Sequence, residues 1–179
     1  DSASDAFFYF GGDSKDLKII TIPGAFEIPG AVNQVLKNSK PDAVVTLGAV
    51  IRGGTAHFDF IAGEATRGIG EISRNSDIPV IFGILTTNDL QQAQERAGTK
   101  AGNKGWEVME AALRTIAVYE KIKHAEKMGA NNVVIHSDDN WKAEVKDITA
   151  KKGVDIVFEH VGKATWKQSL SILSKGGRI

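Results

Sequence analysis

The 179 residues carry 22 basic and 22 acidic side chains, so no net field draws the chain to nucleic acid or to an anionic membrane surface. There is no cysteine, which excludes disulfides and thiolate metal sites. No apolar run is long enough to span a bilayer, and the opening DSASDAFFYF lacks the basic start and apolar core of a secretion signal, so the chain reads as soluble and cytoplasmic, its non-methionine first residue suggesting a processed or incomplete amino end.

In chain order, the aromatic cluster Phe7 to Phe10 before Gly11 and Gly12 fits either a closing helix or a short strand. Leu17 to Ile22, stopped by Pro23 and Gly24, reads as a buried strand. Ile28, Ala31, Val32, Val35 and Leu36 recur at helical spacing with Pro29 in the first turn, predicting a helix that stops before Pro41. Ala43 to Ile51 is the next strand, followed by the turn Arg52, Gly53, Gly54 and by a helix from Phe58 to Asn75. Val80 to Thr86 is a third apolar run, and Asn88 with Gln91 resembles a capping box for a helix through Arg96. A basic glycine loop, AGTKAGNKG, covers 97 to 105. From Trp106 the helical pattern meets no clear stop until Gly129, long enough to hide a join. Beyond it the alternation resumes, with strands at Asn132 to Ile135 and Val154 to Phe158, helices at Trp141 to Ala150 and Thr165 to Ser174, and GGRI opening another strand. Apolar strands separated by amphipathic helices predict an α/β fold: three α/β/α layers around a doubly wound, mainly parallel sheet.

The chemistry concentrates in GAVIRGGTAHFD, residues 48 to 59. Two glycines after a strand permit unusual backbone angles, and the free N–H groups of the helix start opened by Thr55 favour an anion. His57 beside them suits proton transfer on a phosphorylated substrate, although a capped turn with a solvent-facing histidine fits the same residues. PGAFEIP, residues 23 to 29, stands at the carboxy end of the preceding predicted strand, where doubly wound sheets collect ligands. There Glu27 and the backbone of Ala25 and Phe26 can bind hydroxyls, or Glu27 can simply favour the helix dipole. Phe82 is core unless it lies at an open strand end. Arg96, Lys100 and Lys104 form a basic cluster suited to phosphate, or merely solvated.

The ordered motifs PGAFEIP, GAVIRGGTAHFDFIAGEATRGI and PVIFGILTTNDLQQAQERAGTKAGNKGWE resemble lumazine synthase, a riboflavin-pathway family, from about Asp16 to about Glu107 and weakly on to Tyr119. The resemblance implies a flavodoxin-like fold and a cofactor-free condensation of 5-amino-6-ribitylaminouracil with 3,4-dihydroxy-2-butanone 4-phosphate to 6,7-dimethyl-8-ribityllumazine. It implies that Ala25, Phe26 and Glu27 hold the ribityl chain, that Ala49, Val50 and Ile51 meet the pyrimidine edge, and that Gly54 and Thr55 take the phosphate. His57 would transfer protons. Phe82 and Arg96 would reach in from an adjacent subunit, Arg96 to the phosphate, with Lys104 as a further contact. The family's sites lie between subunits of a pentamer, which some members build into icosahedral shells. Its opening strand, with a stacking aromatic residue, has no counterpart before Leu17.

Residues from about Lys123 to Ile179, with AEKMGANNVVIHSDDNW, KGVDIVFEHVG and LSKGGRI, resemble part of the nucleotide-binding domain of medium-chain zinc-type dehydrogenases. The glycine fingerprint and ribose-binding acid of that family are lacking, so Asp138, Asp139, His160 and Gly162 read as turn and cap residues. His124, His136 and His160 have no metal-ligand spacing. These readings give a lumazine synthase-like domain at 1–120 and a partial Rossmann-like segment at 121–179, joined as a chimera or composite. An inactive structural assembly and an NAD(P)-binding remnant are the alternatives to an active enzyme.

Overall fold

The computed structural model describes residues 2–98, 102–134, 140–158, 162 and 165–179. The chain divides into two compact units, Asp1–Lys121 and Ile122–Ile179.

In the first unit, α1 (Ser2–Tyr9) is followed by 3-10 turns at Ser14–Asp16 and Ala25–Glu27, then α2 (Ile28–Asn38), β1 (Val44–Ile51), α3 (His57–Arg74), β2 (Val80–Thr87), α4 (Leu90–Arg96) and the greater part of α5 (Lys104–Lys127), which runs past the unit boundary after Lys121. β1 and β2 pair in parallel, from Val44 opposite Val80 to Ile51 opposite Thr87. Parallel neighbours need a crossover, and α3 supplies it. Because successive strand residues point to opposite faces, Val44, Val50, Val80 and Ile84 join Ile28 and Val32 of α2 and Ala65 and Ile69 of α3 in one core. On the other face Val45 packs with Ala3 and Ala6 of α1 and Met109 and Trp106 of α5. Helices therefore cover both faces of a parallel sheet, and the predicted α/β/α layering holds.

Several elements depart from the sequence reading in detail. The aromatic cluster is helical: Gly11, at φ 91°, ends α1, and the Gly12 N–H donates to the Phe7 carbonyl at 2.9 Å. Leu17–Ile22 is not a strand. Leu17 has extended backbone and packs in the second core, and Ile22 packs against the first, but Ile19 and Ile20 stand 68% and 46% exposed. β-rich composition cannot make a strand without a ladder partner, and among the described residues this segment has none. The helix cap lies one residue later than Asn88: Asp89 accepts from the Gln92 N–H at 2.8 Å, and Gln92 Oε1 accepts from the Asn88 N–H at 2.9 Å. Asp89→Ala is expected to cost about 1 kcal/mol, read from the midpoint of urea unfolding. α5 starts two residues before Trp106 and closes on Gly129, at φ 94°, with the Ala130 N–H donating to the Ala125 carbonyl at 3.1 Å.

The second unit holds α6 (Trp141–Ile148), β3 (Val154–Ile156), α7 (Trp166–Ser171) and β4 (Leu173–Arg178). β3 and β4 are parallel, with Val154 opposite Leu173, Ile156 opposite Arg178 and an irregularity between. Gly153, at φ 80°, enters β3 where an added Cβ would lie 2.6 Å from the Ile172 carbonyl oxygen, so only glycine fits. The predicted helix Thr165 to Ser174 is shorter than expected, because Leu173 and Ser174 already belong to β4. Residues 132–134 of the predicted strand Asn132 to Ile135 are not in a strand, and Ile135 lies outside the described residues. So do His136, Asp138, Asp139 and His160. Gly162 sits in a turn at φ 80°, its carbonyl accepting from the Thr165 and Trp166 N–H groups.

Candidate active site

β1 extends its ladder by one bond past Ile51, the Arg52 N–H donating to the Thr87 carbonyl at 2.9 Å. The chain then leaves the sheet through Gly53, Gly54 and Thr55 and enters α3 at His57. Neither glycine adopts a left-handed backbone, which corrects the expectation of unusual angles here. A Cβ on either would meet nothing within 4 Å, so the glycines keep the space in front of the loop clear. Thr55 does not cap the helix. The N-cap is Ala56, with no side-chain cap, and residues 51 to 57 are all exposed. An uncapped start of an 18-residue helix presents N–H donors and the positive end of its dipole to whatever occupies that space. His57 is the first helical residue, beside those donors.

Two sequence-predicted groups share the carboxy end of β1, the strand's own last residues and the loop that carries Gly54, Thr55 and His57. Ala49, Val50 and Ile51 are its last residues, opposite Leu85, Thr86 and Thr87, with the Val50 side chain turned into the first core. The 3-10 turn Ala25–Glu27 packs against β1 and α3 and leads into α2. Ala25 packs on the core, whereas Phe26 is half exposed. Glu27 is the N-cap of α2 without capping through its side chain; its carboxylate lies over Gly24, 2.7 Å from where a Cβ would stand. Beside this end of the sheet a depression of about 770 Å³ opens, lined by Phe58, Asp59, Ala62, Gly63, Thr86 and Asn88 among others.

The remaining predicted residues lie elsewhere in the unit. Phe82 is the third residue of β2, opposite Thr46. At roughly 3.3 Å per residue it stands about 16 Å from the Thr87 end of the strand, so it does not join the groups there within one chain. Arg96 ends α4 and Lys104 begins α5, across a loop pinched by a bridge between Ala97 and Asn103. Lys104 Nζ is 2.6 Å from Glu107 Oε2. That hydrogen bond, with weaker attraction from Lys104 and Arg96, holds the Glu107 carboxyl below the usual carboxylate range. Lys100 lies outside the described residues.

Three ion-paired residues escaped the sequence reading, Arg52 and Asp59 beside the glycine loop and Glu107 at the start of α5. Arg52 forks onto Asp59, Nη2 to Oδ1 at 2.7 Å and Nη1 to Oδ2 at 3.1 Å, with its guanidinium 4.2 Å from the centre of the Phe58 ring. Those hydrogen bonds lower the Asp59 carboxyl and raise the Arg52 guanidinium from their ordinary values. Glu107 is the third, and its only sequence signal was the Lys104 to Glu107 spacing of three on a helix. Among the described residues, no three histidines or carboxylates are grouped to hold a metal ion, and no helix is long and apolar enough to cross a membrane.

A strand, a cleared glycine loop and an uncapped helix start carrying histidine thus occur inside a segment, residues 1–120, that matches the model of the 6,7-dimethyl-8-ribityllumazine synthase family. The chain belongs to that family. A lumazine synthase of Yersinia pestis strain Pestoides F is 52% identical over 124 residues, 69% of this chain and 80% of the relative. Those of Campylobacter hominis and Nautilia profundicola are 48% identical over 123 and 122 residues, each covering 79% of the relative and 69% or 68% of this chain. The match takes in α1, so the lumazine synthase likeness starts earlier than the motifs from Asp16 suggested. Residues 108–179 match the model of the zinc-binding dehydrogenase family. The two matches overlap at 108–120, inside α5, and both resemblances read from the motifs hold.

Proposed function

We propose that the chain makes 6,7-dimethyl-8-ribityllumazine in riboflavin biosynthesis, condensing 5-amino-6-(D-ribitylamino)uracil with 3,4-dihydroxy-2-butanone 4-phosphate and releasing water and phosphate without a cofactor. The observation that carries this reading is the exposed, uncapped start of α3 with His57 on its first turn, set in a family whose relatives bear this product's name. Gly54 and Thr55 offer amides to the phosphate, and Arg96, with Lys104, supplies positive charge. Condensing an amine with a carbonyl needs a proton carried to the departing oxygen, and His57 is the titratable group next to the phosphate. The turn Ala25–Glu27 receives the ribityl hydroxyls, Glu27 as acceptor, and the backbone of Ala49 to Ile51 lines the pyrimidine edge.

Phe82 and Arg96 act on the site of a neighbouring copy. The separation of Phe82 from the carboxy end of β2 supports this, since within one chain it cannot reach the loop. The enzyme therefore works as a homo-oligomer in the cytoplasm, a pentamer or a shell of pentamers, with no nucleic acid or membrane partner. Residues 121–179 are a dehydrogenase-derived segment joined in a chimera, and without a glycine fingerprint they do not bind NAD(P) on their own.

Given both substrates, the purified protein should develop the absorbance of the lumazine, and His57→Ala should slow turnover about 100-fold, the usual contribution of a general acid–base group. No product at any protein concentration refutes the proposal.

A further inference from the structure

The geometry points to Arg52 and Asp59 as positioning residues: their forked pair clasps the end of β1 to the first turn of α3 and so fixes the loop that presents Gly53, Gly54, Thr55 and His57. The inference rests on the phosphate-binding reading of that loop. Arg52 is anchored in the sheet by its own N–H on Thr87, and Asp59 is the third residue of α3. Two hydrogen bonds and the Phe58 ring beneath the guanidinium set its plane. Only residues 53 to 56 lie between Arg52 and the first helical residue. No side chain hydrogen bond holds Gly53, Gly54 or Thr55 among the described residues, and a Cβ on either glycine would meet nothing within 4 Å. Left alone, a glycine pair loses more conformational freedom on ordering than any other, so a loop meant to meet phosphate needs such a tie.

Arg52 also offers itself as a direct phosphate ligand. Its fork, however, is filled by Asp59. The two roles differ in sign. If Arg52 holds the loop, breaking the pair from the Asp59 side weakens phosphate binding; if Arg52 binds phosphate, neutralising Asp59 frees a cation and strengthens it.

The test is Asp59→Asn, which keeps shape and removes charge at an exposed side chain. The KM for butanone phosphate should rise about fivefold, the upper end for an exposed pair, with kcat within a factor of two. Arg52→Lys should do the same, because an ammonium cannot fork onto both oxygens, and Asp59→Glu should recover part of the loss. Independently of turnover, ¹⁵N relaxation should show order parameters of Gly53, Gly54 and Thr55 falling from about 0.8 to about 0.6 in Asp59→Asn without substrate. Unchanged order parameters overturn the clasp even in an active enzyme. A lower KM in Asp59→Asn, or a loss confined to kcat, also overturns it. If the wild type lacks turnover, the proposed reaction fails and the relaxation result alone decides the clasp.

Discussion

Arg96→Ala should lower kcat/KM for butanone phosphate about 30-fold while leaving the melting temperature close to that of the wild type. Arg96 is an exposed residue at the end of α4, so its removal costs the fold little. In its proposed role, what the substitution removes is a charge-assisted contact of about 2 kcal/mol to an anion whose charge grows as phosphate departs. Lys104 fills the gap only in part, because Glu107 Oε2 already takes one of its ammonium donors at 2.6 Å and offsets its charge. Arg96→Lys should recover only part of the activity, since a point charge does not match two phosphate oxygens at once. Steady-state kinetics alongside thermal melts separate this outcome from general destabilisation; an equal fall in stability would show that Arg96 is structural.

Gly83→Ala should be the most damaging single methyl in the first unit, costing about 3 kcal/mol of unfolding free energy by urea titration. Gly83 lies in β2 opposite Leu47, and a Cβ there would stand 2.5 Å from the Thr46 carbonyl oxygen, 3.0 Å from Leu47 Cδ2 and 3.1 Å from Val108 Cγ2. The first of these is backbone in the neighbouring strand and cannot swing away. Relief requires parting β1 from β2, which also strains the bond from the buried Thr46 hydroxyl to the Ile81 carbonyl at 2.9 Å. Gly48→Ala is the control. Its Cβ would meet Ile28 and Ile84 at 3.7 to 3.9 Å, ordinary contact, and should cost under about 1 kcal/mol.

The parts of this fold that rest on side-chain periodicity were legible in the sequence. The α2 and α3 stripes follow from apolar residues recurring every third and fourth position, and the two strands and their parallel pairing from continuous apolar runs between such helices, because burial acts on these patterns directly. What depends on a partner elsewhere was not legible. Leu17 to Ile22 has strand composition yet no neighbour to complete its ladder, and composition carries no information about neighbours. The box at Asn88 was misplaced by one residue because Asp89 is an equally good cap and only the backbone geometry chooses between them. At the site, the strand–loop–helix order was readable from Gly53, Gly54 and His57, but the reason for the glycines was not. They clear space in place of supplying special torsions, which only the folded structure reveals. Arg52 with Asp59 was hidden for the same reason, since seven residues of separation across a turn follow neither strand nor helix spacing.

The most direct check of the account is an amide-resolved titration of the protein with 3,4-dihydroxy-2-butanone 4-phosphate, followed by ¹H–¹⁵N NMR. Saturable shifts should appear at the amides of Gly53, Gly54, Thr55 and His57, and should weaken in Arg96→Ala. If those amides stay still while the ligand moves resonances only elsewhere, for example around Ala62 and Gly63 in the neighbouring depression, the start of α3 is not the phosphate site.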